Sequence, residues 1–123
     1  MSSLPEAPYD AELADKVLIL GLDDWVMAAD VVSVLVGAGI PIHDARSSHY
    51  ALNVIEYLLS GGLMTAGDVT AEGFVPWEMD PSTAIALIKE RWEELGGPPD
   101  LGDVCWLNNT DEGDARAESA VKK

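Results

Sequence analysis

Apolar residues recur at helical spacing in four separate stretches of the chain. In residues 10–20, DAELADKVLIL, Leu13, Val17 and Leu20 fall on one helical face, and Gly21 stands where a helix would stop. Residues 23–37 predict a second helix, with Asp23 as its cap, Asp24 placing negative charge in the first turn, and Leu22 stapling onto Met27. Val31, Val32, Leu35 and Val36 give it a broad apolar face, and Gly37-Ala38-Gly39 before Ile40-Pro41 ends it. In the third, Ser47 or Ser48 offers a cap, and Leu52, Ile55, Leu58 and Leu59 form a stripe that stops at Gly61-Gly62. Asp80 before Pro81 opens the fourth, where Ile85, Ile88 and Trp92 share a stripe joined by Leu95, closed by Gly96-Gly97-Pro98-Pro99.

Between the third and fourth helices the helical period disappears. Residues 63–65 and 74–77 are short apolar runs separated by Gly67, Asp68, Glu72 and Gly73, the pattern of a β-hairpin with a loop of several residues. Pro76 lacks an N–H and confines its strand to an edge. Residues 103–107, DVCWL, are too short for a helix and predict a final strand. Residues 1–8 carry two prolines and two serines and read as a flexible lead-in, and the polar residues 108–123 read as a disordered tail. Residues 9–107 are then one globular domain. The expected fold is α+β and helix-rich, with about four helices, a short β-hairpin and a final short strand.

That element order resembles a winged helix-turn-helix domain. The likeness covers residues 29–77 and is carried by the order itself and by LLSGGLMTAGD, a helix-to-strand step such domains often show. The downstream GFVPWEMDP and LGDVCWLNNT also resemble segments of small uncharacterised bacterial proteins. The resemblance implies a transcriptional regulator whose helix over residues 46–57 enters the major groove, with Arg46, Ser47, Ser48, His49 and Asn53 near base edges or phosphates. It also implies a homodimer through the second or the fourth helix.

Charge pulls against that implication. The 123-residue chain has 22 acidic and 7 basic residues and a formal net charge of −15. Nucleic-acid affinity rests on Lys and Arg neutralising phosphates, so such a field disfavours a polyanion and favours a basic protein surface. Over residues 44–60, Asp44, Arg46 and Glu56 leave a net of −1, and the wing carries Asp68, Glu72, Glu78 and Asp80 without a Lys or Arg. A regulator would need its few cations, Arg46 with Lys89 and Arg91, to converge. Cys105 is the single cysteine, which excludes an internal disulfide and a thiolate cluster for zinc and fits a reducing cytoplasm. The first ten residues lack the basic start and apolar run of a secretory signal, and no apolar run approaches the roughly 20 residues that span a bilayer. A soluble cytoplasmic protein without membrane contact is the expectation.

Catalytic chemistry finds little footing. His43, Asp44 and His49 are the one His/Asp cluster, but the histidines are not four apart on a helical face as helical zinc motifs require, so neither a metal nor a cofactor is expected. Asp23/Asp24, Glu93/Glu94 and Asp111/Glu112 are adjacent acids that read as caps or solvated charges, and Cys105, between Val104 and Trp106, reads as a buried thiol. No nucleophile elbow or phosphate-loop lysine is present. A small acid–base enzyme would need His43 or His49 beside a carboxylate in a cleft. Of four tryptophans, Trp92 belongs to a helical core stripe, whereas Trp77 and Trp106 are either core plugs or half-exposed anchors for a partner. The reading favoured is a non-catalytic, acidic protein-binding module of the kind an immunity protein, antitoxin or other inhibitor uses to cover a basic partner. Its contact residues would be Asp68, Glu72, Phe74, Trp77, Glu78, Asp80 and Trp106.

Overall fold

The computed structural model describes residues 6–40, 46–96 and 104–122. In chain order the elements are α1 (Glu6–Leu20), β1 (Val26–Met27), α2 (Ala28–Gly37), α3 (Arg46–Ser60), β2 (Met64–Thr70), β3 (Gly73–Pro76), α4 (Pro81–Leu95), β4 (Trp106–Asn109) and α5 (Asp111–Val121). The fold is α+β, with a four-stranded, fully antiparallel sheet in the order β1-β4-β2-β3. Among the described residues no helix is long and apolar enough to cross a membrane.

Helix α3 is the hub, because it packs on α1, α2 and α4. Its stripe is wide enough to do so: Ala51, Val54, Ile55, Leu58 and Leu59 are all buried. Leu13, Ala14, Val17 and Leu18 of α1, Val31, Val32 and Leu35 of α2, and Ile85, Ile88 and Trp92 of α4 complete the helical side of the core. The sheet contributes alternate residues, as a period of two dictates. Val26, Leu107, Ala66 and Met64 are buried against the helices, and Leu107 of β4 lies opposite both Val26 and Ala66.

Five helices form where four were expected, and the extra one comes from the residues that read as a disordered tail. The Thr110 hydroxyl accepts the Gly113 N–H at the start of α5, and its backbone N–H donates to the Leu63 carbonyl at 3.0 Å. Asn109 Nδ2 donates to the Leu18 carbonyl at 2.9 Å and to Asp114 Oδ1 at 3.0 Å, and Arg116 Nε donates to Asp15 Oδ1 at 2.7 Å. The segment is too polar to fold alone, but these bonds reach α1 and the α3–β2 turn, partners that composition does not reveal.

Three boundaries also differ from expectation. Helix α1 is already under way at Glu6, inside the expected lead-in. Asp23 does not cap the second helix and Leu22 does not staple it: Val26 and Met27 are extended, and α2 starts at Ala28, where the Asp30 carboxylate accepts the Met27 N–H at 2.9 Å. Val26 and Met27 are drawn into β structure by pairing with Leu107 and Trp106, far along the chain. Ser47 and Ser48 lie within the first turn of α3 rather than before it, so its cap falls outside the described residues. In the hairpin, β2 continues through Asp68 to Thr70 and leaves only Ala71 and Glu72 as the turn, because the polar positions sit on paired strands with one open face.

Gly113 marks the tightest approach of α5 to the body, since a Cβ there would fall on the Leu63 carbonyl oxygen and press on Leu18. Gly113→Ala gains about 1 kcal/mol of helix propensity, yet the clash with backbone costs roughly 1–3 kcal/mol and should win. Urea denaturation should therefore show a lower midpoint for Gly113→Ala, whereas replacing the exposed Ala115 by Gly should cost only about 1 kcal/mol.

Candidate protein-binding face

The same alternation that buries Leu107 and Ala66 turns a second set of side chains to the other side of the sheet. Met27, Trp106, Gly67 and Pro76 lie opposite one another across the four strands, Asn108 lies opposite Thr65, and Val69 lies opposite Phe74. Met27, Trp106, Val69 and Phe74 are half-buried yet lie outside the core that the inner face builds. Gly67 lies so close to β3 that a Cβ there would fall on the Val75 carbonyl oxygen and 2.8 Å from the tip of the Phe74 ring, so only glycine fits. Trp25, in the turn before β1, reaches across to the hairpin. Its ring stacks on Phe74 at 6.4 Å between centroids, its far edge lies beside Gly73, and it remains 37% exposed.

The residues expected to form one patch are divided by the sheet. Phe74 and Trp106 share the open face. Asp68 has the parity of Ala66 and turns towards α4, where its Oδ2 accepts the Trp77 indole N–H at 2.9 Å. The Arg91 guanidinium lies over the Trp77 ring at 5.0 Å, stands 3.9 Å from Asp68 Oδ1, and donates to the Val104 carbonyl at 3.1 Å. Trp77 is thereby a plug, half-buried against the core with its ring and its N–H both engaged. The brace also steadies Val104, whose φ of 72° is a left-handed backbone that a β-branched residue rarely adopts. Glu72 is exposed at the hairpin turn and Glu78 is exposed before α4. Asp80 occupies the N-cap position of α4 without a side-chain bond to the helix backbone; the hydroxyls of Ser82 and Thr83 donate to its carboxylate instead and hold its pKa below the ordinary value.

Beside the open face is a polar depression of about 380 Å³, lined by Asp23, Asp24, Trp25, Asn108, Asn109 and Asp114 together with Gly21 and Leu22. Asp24 Oδ1 accepts the backbone N–H of Trp25 at 2.8 Å, and Asp114 is held by Asn109. No basic residue lines it. Sequence reasoning missed Trp25, which it placed in a helical turn. The usable signal was local: Val26 is β-branched and follows two adjacent aspartates, residues that favour turns.

The residues implied for nucleic-acid contact all lie on α3, where His49 is exposed and edge-on to Tyr50 at 6.1 Å and Ser48 and Asn53 are half-buried. Arg46 and Ser47 stand at the helix start, and His43 and Asp44 lie outside the described residues. Arg91 is engaged by Trp77, Asp68 and Val104. Arg116 is likewise engaged by Asp15 and stacked over Tyr57 at 5.2 Å. Among the described residues no group of three or more His, Cys, Asp or Glu is placed to hold a metal ion. Cys105 is 1% exposed, and burial pushes its thiol from an ordinary 9.0 up to about 12, so it stays a protonated core residue and not a nucleophile.

Two measurements check this geometry. Arg91→Ala strips the Val104 carbonyl and the Trp77 ring of their partner and should cost about 1–3 kcal/mol in urea denaturation, with Arg91→Lys recovering only part, since an ammonium lacks the planar fork. For Cys105 the folded chain keeps a proton that the unfolded chain releases, so its stabilising effect is complete below about pH 9 and lost as the pH rises towards 12. Native protein should accordingly resist a thiol reagent at pH 8, and Cys105→Ala should flatten the alkaline fall in stability.

The chain matches no family model, no curated protein and no solved structure.

Proposed function

We propose that this chain is a non-catalytic binding module that covers a basic surface on another protein in the cytoplasm, in the manner of an inhibitor, immunity protein or antitoxin. The observation that carries the reading is the open sheet face, where Trp25, Phe74 and Trp106 lie outside the core on a chain of net charge −15. Aromatic residues supply contact area at little cost in conformational freedom and are enriched at the energetic centres of interfaces, whereas the acidic surround steers a cationic partner and rejects anionic ones. Of the expected contact residues, Phe74, Trp106 and Glu72 are on or at the margin of this face, and Trp77 serves it indirectly by holding the hairpin to α4.

A winged-helix regulator is the competing reading, and the pairing of Arg91 with Asp68 and of Arg116 with Asp15 weighs against it, since phosphate contacts need cations that are not already paired.

Immobilised full-length chain should retain a protein of net positive charge from an extract of its own source at low salt, and raising the salt should release it. Phe74→Ser and Trp106→Ser should each abolish retention while leaving the circular dichroism unchanged. Failure to retain any basic protein, together with a salt-sensitive shift of genomic DNA fragments, would overturn the module in favour of the regulator.

A further inference from the structure

We propose that the module reads arginine: the acidic depression beside Trp25 takes a guanidinium of the partner, stacked on the indole and paired with Asp24. This rests on the open sheet face being the partner-binding surface, and it names the group recognised there.

Within the fold, guanidinium recognition occurs twice by one arrangement. Arg91 lies over the ring of Trp77 at 5.0 Å with Asp68 Oδ1 3.9 Å away. Arg116 lies over the ring of Tyr57 at 5.2 Å with Asp15 Oδ1 2.7 Å from its Nε. Each slot consists of an aromatic ring and an aspartate, and each is filled by the chain's own arginine.

Trp25 and Asp24, neighbours in the chain, line one depression and so bring a ring and an aspartate together a third time. Phe74 supports the indole by stacking, and the Trp25 backbone N–H donates to Asp24 Oδ1 at 2.8 Å. Asp23 and Asp114 add charge to the same depression, and Asn109 Nδ2 fixes Asp114 by a bond at 3.0 Å. Among the described residues no arginine or lysine lies over Trp25, and none lines the depression. The depression thus joins a ring to carboxylates with no basic residue among those lining it, on a surface whose charge selects a basic occupant.

Arginine suits this slot better than lysine for reasons of shape. A guanidinium is flat, stacks on an indole while its edge donates two parallel hydrogen bonds to a carboxylate, and gives up its hydration more readily than an ammonium. Lysine shares the charge but cannot satisfy ring and carboxylate together in that way.

Calorimetric titration of the full chain at low salt with a capped hexa-arginine peptide and with a capped hexalysine of equal length tests the proposal. The arginine peptide should bind roughly five-fold more tightly, the size of a modest cation–π and bidentate advantage. Asp24→Asn, which keeps side-chain shape at an exposed position, and Trp25→Ala should each remove that preference. Glu93→Gln, which lowers the charge by the same unit on α4, should leave it intact. Equal binding of the two peptides, or a preference that survives both Asp24→Asn and Trp25→Ala, overturns the arginine site while leaving a basic partner recognised by general charge. Binding of neither peptide also overturns the site, and the retention of a basic protein by the immobilised chain then decides the wider reading independently.

Discussion

The insertion of β4 into the middle of the sheet is the constraint on which the rest of the molecule depends. Leu107 pairs with Val26 on one side and Ala66 on the other, so a strand from the C-terminal quarter joins the α1–α2 region to the hairpin. Without β4, β1 has no partner among the described strands, and two residues do not make a strand on their own. The chain leaves β4 through Asn109 and Thr110, whose side chains bond Leu18, Gly62, Leu63 and Asp114. Those bonds seat α5 along α1 and bring the acid of its first turn beside Asp23 and Asp24. The pairing is long-range, so its loop entropy must be recovered by the burial of Leu107 and its neighbours.

Scarcity of cations shapes both stability and recognition. A net charge of −15 favours expansion by self-repulsion, and the fold answers by spending two of seven basic residues as internal braces. Arg91 ties the hairpin to α4 and to the strained backbone at Val104, and Arg116 ties α5 to α1 and α3. Each brace combines a ring, a carboxylate and a guanidinium, three groups that stabilise one another more than any pair alone when partly desolvated. A surface left with so few available cations attracts basic partners and repels phosphate backbones.

The division of the hairpin between two faces explains how one short segment serves both the core and the surface. Trp77 turns inward to α4 with Asp68 bonded to its exposed indole N–H, and Phe74 turns outward over Gly67 to meet Trp25. Because successive strand residues point to opposite faces, a contiguous stretch of sequence cannot be a contiguous patch. The residues between Asp68 and Asp80 therefore share a region of the molecule without sharing a role.

What the amino-acid sequence determined by itself is the helical framework: Leu13 with Val17, Ile55 with Leu58 and Leu59, and Ile85 with Ile88 and Trp92 are buried as their spacing requires, Leu52 is half-buried beside them, Leu20 and Leu95 at the helix ends are exposed, and Asp80-Pro81 starts α4. These features are legible because a helix closes its hydrogen bonds within four residues and shows its buried side as a short period. The hairpin was legible in outline for the same reason of locality, whereas Phe74, Trp77 and Trp106 were left open between core plug and half-exposed anchor. Only the tertiary structure decided that Val26 and Met27 are a strand, that the polar C-terminal residues form α5, that Trp77 is a plug, and that Trp25 stands exposed beside an acidic depression. Each of those outcomes depends on a partner remote in sequence, Leu107, Leu18, Arg91 or Phe74, and strand pairing and side-chain bonds of that reach leave no periodic trace in the chain that makes them.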